Sequence, residues 1–467
     1  MRSCRRSPRP RTHTVLAIML LAVATSLANV TFTDVTSVFE LGDTGKQSGA
    51  FIDYNDDGWT DLQMDTGLYR NEGGTKFVKA GPGGQQMAWG DIDNDGYLDF
   101  FTATNGDIHY GSKDGTFSDD VLEGRPHGCS DACTMLDVDG DGLLDIYWSG
   151  YETGIGAPQP DALYKNLGDR TFKLIWTQQK HYPARGNIAA DFDNDGDTDL
   201  YISNYRLRGN LLWRNTGDGT LVFASASHGV LGGRGHSIGS AFGDIDNDGL
   251  IDIFAGNFAH GGQPQSRFFR NRGAEHDYTF EDKGTCGVYY QESYASPTLG
   301  DYDNDGDLDL FFTTVYGHNQ AGMFSNAGDW NFRNVTRESG VNGISFTYQA
   351  AWGDFDNDGD LDLVTGGHLY QNDGNPNNWL KVKLIGIGNV NRSAIGAVVR
   401  VKLGDKTLTR QVESSTGRSN VNDLTLHFGL GTHQGDVNLE IAWPYAERQV
   451  VTTSVNRTVT VKRGEDD

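Results

Sequence analysis

Seven short apolar runs punctuate the chain, each entered from an Asp- and Gly-rich stretch: Leu62-Gln63-Met64, Phe100-Phe101-Thr102, Ile146-Tyr147-Trp148, Leu200-Tyr201-Ile202, Ile253-Phe254, Leu310-Phe311-Phe312 and Leu363-Val364. They are bounded by turn residues and too short for helices, so they predict strands. A second apolar element ending in Asn follows in most copies, as in Leu68-Tyr69-Arg70-Asn71, Leu212-Trp213-Arg214-Asn215 and Leu369-Tyr370-Gln371-Asn372; His109-Tyr110-Gly111-Ser112 departs from it. Asn followed after one residue by Gly supplies a tight turn, since both tolerate positive φ. A further strand follows, as in Phe332-Arg333-Asn334-Val335-Thr336. About four short antiparallel strands repeated seven times predict an all-β chain folded as a seven-bladed β-propeller. The seventh copy lacks its Phe-containing strand, and Phe32-Thr33-Asp34-Val35-Thr36 at the other end resembles it. The N-terminal strand therefore completes the last blade and removes two free edges. Beyond the repeats, Leu380, Val382 and Leu384 alternate with Lys381 and Lys383, and Val437, Leu439, Ile441 and Trp443 alternate in turn. This predicts a C-terminal β-sandwich-like domain whose strands each bury one face. The expected boundaries are a propeller over 29–378, the β domain over 379–463 and a tail over 464–467.

Each apolar run is preceded by Asp-x-Asp/Asn-x-Asp-Gly-x-x-Asp, beginning at Asp53, Asp91, Asp137, Asp191, Asp244, Asp301 and Asp354. When such a loop curls, positions 1, 3, 5 and 9 converge, and Gly at position 6 permits the sharp bend. Oxygen-only donors, several charged, with a backbone carbonyl at position 7, suit Ca²⁺ better than Mg²⁺ or Zn²⁺. The expected ligands are Asp53, Asn55, Asp57 and Asp61; Asp91, Asp93, Asp95 and Asp99; Asp137, Asp139, Asp141 and Asp145; and Asp191, Asp193, Asp195 and Asp199. Asp244, Asp246, Asp248 and Asp252; Asp301, Asp303, Asp305 and Asp309; and Asp354, Asp356, Asp358 and Asp362 complete the set, for up to seven calcium ions. Asn55 leaves the first loop weaker in charge, and Gly140 makes the third the most divergent. Asp and Gly also make ordinary turns, but seven clusters of carboxylates without a cation would repel one another strongly.

The formal charge of −25 weighs against nucleic acid or an anionic membrane as partner. Residues 1–28 read as an export signal: a basic start, an apolar run over Val15 to Ala24, and small residues ending at Ala28. No later stretch is long and apolar enough to span a membrane, so the expected product is secreted. Cys129 and Cys133 could bridge, or bind metal with His127. Asn29, Asn334, Asn391 and Asn456 stand in N-x-Ser/Thr sequons. Gly235-His236-Ser237-Ile238-Gly239 has the spacing of a nucleophile elbow, but it falls where other copies place a strand, so no catalytic residue is assigned and a non-enzyme is expected.

The loops and strands together resemble FG-GAP/VCBS repeats, the unit of the integrin α-subunit propeller, in which such loops hold Ca²⁺. Ile395-Gly396-Ala397, Asn422-Asp423-Leu424, Leu426-His427-Phe428-Gly429-Leu430-Gly431 and Ile441-Ala442-Trp443-Pro444 resemble an ASPIC/UnbV domain. That combination is similar to the cartilage acidic protein family and its bacterial relatives. The resemblance implies an extracellular, calcium-binding propeller. The function expected is an interaction or adhesion scaffold, its partner an extracellular protein or a glycan. A carbohydrate-binding, lectin-like propeller is the alternative, and a polysaccharide-degrading enzyme a more distant one.

Overall fold

The computed structural model describes residues 30–465 apart from 43, 46–47, 125–129 and 155. The export segment, Asn29, His127 and Cys129 lie outside the described residues. Each repeat folds into a four-stranded antiparallel sheet with its strands side by side in chain order. The first sheet comprises Gly49–Ile52, Asp61–Met64, Gly67–Asn71 and Phe77–Gly81. There is one such sheet for each Asp loop, and the loop joins the first strand to the second. The last sheet takes its outer strand from the other end of the chain. Phe32–Asp34 runs antiparallel to His368–Asn372, with Phe32 opposite Asn372 and Asp34 opposite Tyr370.

Apolar clusters close the ring. Phe51 and Leu62 of the first sheet pack with Phe355 and Val364 of the last, and Ile52 and Leu68 pack with Trp89 and Phe100 of the second. Similar clusters join every other neighbouring pair. First strands such as Met87–Gly90, Cys133–Leu136 and Ala350–Gly353 are buried at every residue. The second strands Asp61–Met64, Asp99–Thr102 and Asp145–Trp148 are buried throughout as well, and two buried faces explain why the runs behind the Asp loops do not alternate with exposed polar residues. The elbow-like motif lies in strand His236–Gly243, also buried throughout, where the Ser237 hydroxyl donates to Asn257 Oδ1. Cys133 is a buried free thiol.

The C-terminal region forms two sheets, one of Leu426–Gly431, Asn378–Ile385 and Thr458–Lys462, the other of Lys406–Gln411, Val398–Leu403, Val437–Ala442 and Gln449–Thr453. One expectation needs correcting. Lys381 and Lys383, the polar positions of an alternating strand, do not face solvent. Lys381 is 6% exposed, and both ammonium groups reach into Asp loops. Asn391 is fully buried, with its Nδ2 donating to Ile395 O at 2.9 Å, so its sequon is closed in the folded chain.

Between Gln411 and Leu426 the chain leaves these sheets and fills the centre of the ring. Phe51 N donates to Val421 O at 3.1 Å, Trp89 N to Ser414 O at 3.1 Å, Asn187 N to Gly417 O at 2.9 Å, and Asp423 N to Trp352 O at 3.2 Å. Ser415 Oγ donates to Cys133 O at 2.6 Å, and Asn420 Nδ2 to Pro297 O at 2.8 Å. Gly417 passes so close to the fifth sheet that a Cβ there would stand 3.1 Å from Ser240 O. This plug touches the first strand of every sheet.

Candidate metal centres

The seven loops share one construction. The position-6 amide donates to the position-1 carboxylate in all of them, from Gly58 to Asp53 at 3.1 Å through to Gly359 to Asp354 at 3.0 Å. The position-7 amide donates to the position-5 carboxylate in each, at 2.9 to 3.1 Å. Two positive-φ residues, separated by position 5, make the curl. Gly at position 6 has φ between 83° and 99°, and position 4 (Asp56, Asn94, Gly140, Asn194, Asn247, Asn304, Asn357) has φ between 56° and 74°. Asn, Asp and Gly tolerate that conformation best. Gly140 is therefore no departure from the pattern; it meets a position-4 requirement that the motif as read had left blank.

The carboxylates converge as the spacing implies, with one refinement. Single oxygens of positions 1, 3 and 9 come within 4.8 Å of one another in Asp91/Asp93/Asp99, Asp137/Asp139/Asp145, Asp191/Asp193/Asp199 and Asp301/Asp303/Asp309. In the fifth loop the close trio is Asp244, Asp246 and Asp248. Position 9 does double duty, because its Oδ1 also accepts an amide from the end of the third strand, from Asn71 to Asp61 at 2.6 Å through to Asn372 to Asp362 at 2.8 Å. Burial, reinforced by neighbouring carboxylates, pushes the carboxyls of Asp61, Asp99 and Asp145 up to about 8.

Several of these oxygens have no partner. Oδ1 of the position-3 residues Asp139, Asp193, Asp246, Asp303 and Asp356 is buried and accepts no hydrogen bond, and so are Asp301 Oδ1 and Asp309 Oδ2. A buried charged oxygen left bare is costly. Five loops share the defect at one position, and a cation within the loop is the donor set's natural remedy. The first two loops are internally satisfied: Asn55 Oδ1 accepts from Asp57 N at 3.2 Å, and Asp93 Oδ1 from Asp95 N at 3.2 Å. Protein cations flank some loops. Arg270 lies 2.6 Å from Asp246 and 2.9 Å from Asp248, and Lys165 contacts Asp139 and Asp141. Asp303 has no such ion pair among the described residues, and Asp301, Asp303 and Asp309 are all buried.

The C-terminal sheets cover the Asp-loop face and reach every loop. Lys383 lies 3.1 Å from Asp53, Arg392 N donates to Asn94 Oδ1 at 3.0 Å, and Tyr445 Oη donates to Val138 O at 3.0 Å. The Arg400 guanidinium meets Asn194, Thr407 N donates to Asn247 O at 2.8 Å, Gly431 N to Asn304 O at 2.8 Å, and Lys381 Nζ lies 2.9 Å from Asp354.

A second conserved-geometry residue in the repeat is the Asn that ends the third strand, read from sequence as a turn residue. It does serve the turn, as when Asn215 Oδ1 accepts from Gly217 N at 3.1 Å. Its amide also reaches across to the preceding sheet's Asp loop. Asn166 donates to Ile92 O, Asn215 to Val138 O, Asn271 to Phe192 O, Asn326 to Ile245 O, Asn372 to Tyr302 O and Asn71 to Phe355 O, all at 2.7 to 3.1 Å. In the second sheet Gly111 stands there instead. Asn215→Ala strips a buried clamp and is expected to cost ~2 kcal/mol in chemical denaturation; an unchanged midpoint and slope would show the clamp to be idle.

Comparison with known proteins agrees with this construction. The FG-GAP-like repeat model matches residues 91–148, 137–202, 191–255, 244–312 and 301–365, and the ASPIC and UnbV model matches 388–467. Cartilage acidic protein 1 of Mus musculus is 26% identical over 438 residues, covering 81% of this chain and 64% of its own length. The Homo sapiens protein is 26% identical, with 73% and 54% covered, and the Xenopus tropicalis protein 27% identical, with 78% and 61% covered. The chain thus spans between about half and just under two thirds of the curated relatives it matches. Among solved structures, an Agrocybe aegerita lectin that recognises non-reducing terminal N-acetylglucosamine aligns with TM-score 0.42 and 16% identity over 70% of this chain and 90% of its own. Virginiamycin B lyase from Staphylococcus aureus aligns with TM-score 0.41 and 12% identity over 65% and 87%. Likenesses this loose say nothing about what is bound.

Proposed function

Because the chain belongs to the FG-GAP-like repeat proteins and carries an ASPIC and UnbV domain, we propose that it is a calcium-stabilised extracellular interaction scaffold. In this reading residues 29–378 form the propeller and 379–463 the lid over its metal face. The observation that carries the metal is the row of buried, unpartnered position-3 oxygens in loops three to seven. The 28 loop residues set out above would be the ligands, with Ca²⁺ favoured by their all-oxygen donors. Extracellular modules bind calcium with dissociation constants of roughly 10⁻⁴–10⁻³ M, which suits a protein kept loaded outside the cell. The relatives' name, cartilage acidic protein, supports the same compartment. The sites are structural in this account, and the face they occupy is closed by the lid, so a partner meets the opposite face.

The test is equilibrium dialysis against millimolar calcium, with the excess metal in the protein compartment read by mass spectrometry. At least five ions per chain are expected, with the first loop the weakest. Asp303→Asn should remove one ion. It should also raise the melting temperature measured in chelator, because it takes away a bare buried charge, while lowering the one measured in calcium. Fewer than two ions per wild-type chain, or a variant that changes neither count nor melt, would sink the metal reading.

A further inference from the structure

The open face of the propeller lies at the opposite mouth of the channel from the lid. The loops joining second to third strands there are unequal. They are long in the third to sixth sheets, at 149–161, 205–210, 259–266 and 315–321, and only two residues in the first and last, at 65–66 and 366–367. At the centre, the plug sends Arg418 up from its tip to meet Arg185 of the fourth sheet, and both guanidiniums converge on Asp131. Arg418 Nη2 lies 2.6 Å from Asp131 Oδ1, and Arg185 Nε bonds Oδ2. Asp131 and Arg418 are each 6% exposed. Burial opposes the Asp131 charge, yet the two guanidiniums outweigh it and hold the carboxyl below its ordinary value.

One carboxylate cannot neutralise two guanidiniums. The buried Glu152 beside them is held by its own partner, Arg206, at 2.8 Å, so the group keeps one positive charge in a largely desolvated place, an expensive arrangement unless an anion completes it. Its hydrogen bonds are incomplete as well. Arg418 Nε is buried without a partner, and Arg185 engages Asp131 through Nε, leaving its terminal nitrogens with no protein hydrogen bond among the described residues.

Aromatic rings stand around this charge. Tyr151 and Tyr205 flank Arg185, with its guanidinium 4.9 and 5.2 Å from their ring centroids, and Tyr348 lies 4.5 Å from that of Arg418. Behind Tyr205 the buried His236, 4.6 Å away, packs in a cluster with the buried Phe258, which lies 5.4 Å from Tyr316. His236 Nδ1 is buried and unpartnered. Paired guanidiniums recognise a planar carboxylate, and flat rings beside them suit a ring with an apolar face. An acidic peptide offers the carboxylate without that face.

We propose that this mouth is a binding site for a carboxylate-bearing sugar ring, a uronate of an acidic glycan, seated on Arg185 and Arg418 between Tyr151, Tyr205 and Tyr348. The proposal rests on the scaffold reading only in taking the propeller as a binding module.

The test is calorimetric titration of the full calcium-loaded chain with glucuronate-, mannuronate- and galacturonate-containing hexasaccharides, their carboxyl-reduced counterparts, the free uronic acids and an acidic hexapeptide. At least one uronate hexasaccharide should bind, its reduced form should bind at least tenfold more weakly, and the free acid shows whether one ring suffices. Arg185→Met and Tyr205→Ala should each weaken binding at least tenfold. Tyr205 is half-buried at the surface, so its variant should keep the wild-type melt even if the arginine variant folds poorly. Absence of binding to every uronate, equal binding of the reduced glycans, or preference for the peptide overturns the proposal. Metal content measured on the same samples separates this failure from failure of the metal reading.

Discussion

Stripping divalent metal from the folded protein is expected to lower its melting temperature by ~7 °C or more. One ligand at ten times its dissociation constant stabilises by ~1.4 kcal/mol, so five sites contribute ~7 kcal/mol. Unfolding entropy of ~2.1 cal/mol/K per residue over 467 residues converts that to about 7 °C, and tighter saturation widens the gap. The pH dependence should reverse between the two forms. Without metal, Asp61, Asp99 and Asp145 titrate at about 8 in the folded chain and near 3.9 when unfolded. Between those values the native state holds more protons, so stability falls as pH rises. The chelated protein should therefore melt higher at pH 5.5 than at pH 8. The calcium-loaded protein should do the opposite, because protons compete with the ion. Differential scanning calorimetry in buffer with calcium or chelator reads both. Identical melts, with metal shown to be absent in one arm, would mean that the loops stand without cations.

Replacing residues 413–422 by a Gly/Ser linker of equal length should cost more than 10 °C. Within this segment the plug accepts three backbone bonds from the ring at 2.9 to 3.1 Å, each worth ~1 kcal/mol net. It also carries side chains buried between sheets. Asn420, fully buried, donates to Ser296 Oγ at 3.0 Å and to Pro297 O at 2.8 Å. Asn422 Oδ1 accepts from Trp352 N at 3.0 Å. The apolar cluster between second and third sheets runs on into Leu380, Val382 and Trp443 of the lid, so ring and lid are one cooperative body and disruption of the centre is felt by both. Asn420→Ala is the milder form, with ~3 kcal/mol expected. A linker variant melting within 2 °C of wild type would reduce the plug to a filler.

Much of this was legible in the sequence. The Asp loops repeat, and each apolar run behind them is a strand because its length and flanks permit nothing else. Phe32 to Asp34 could be placed in the last sheet because the copy there lacked its own outer strand. What sequence could not supply were contacts between distant segments. Lys381 and Lys383 obey an alternating pattern whose second face is solvent by default; only the docking of the lid turns that face onto Asp354 and Asp53. The stretch Glu413 to Asn422 has no apolar period, since it satisfies strands on all sides with backbone and short polar groups. Position 4 of the loop was readable in principle, because Asn, Asp and Gly there share tolerance of positive φ. The Asn that ends the third strand was visible too, but a turn accounted for it locally and its second partner lies a whole sheet away.

The ring of Asn clamps has one missing link. Gly111 holds the place in the second sheet, and a Cβ there would stand 2.3 Å from Leu98 O, so no single substitution restores the latch. The other junctions carry a buried amide tying one loop to the next; the junction between first and second sheets relies on packing around Trp89 and on the Trp89 Nε1 bond to Gln63 at 2.8 Å. A closed ring under strain yields at its weakest seam. Amide protons of Ala50 to Ile52 and Met87 to Trp89 should then exchange with solvent sooner than their counterparts elsewhere, and a circular permutant opened at this seam should be the one that costs least. Under pulling force the molecule would unzip from here, with the lid and plug acting as the clasp that keeps the gap shut.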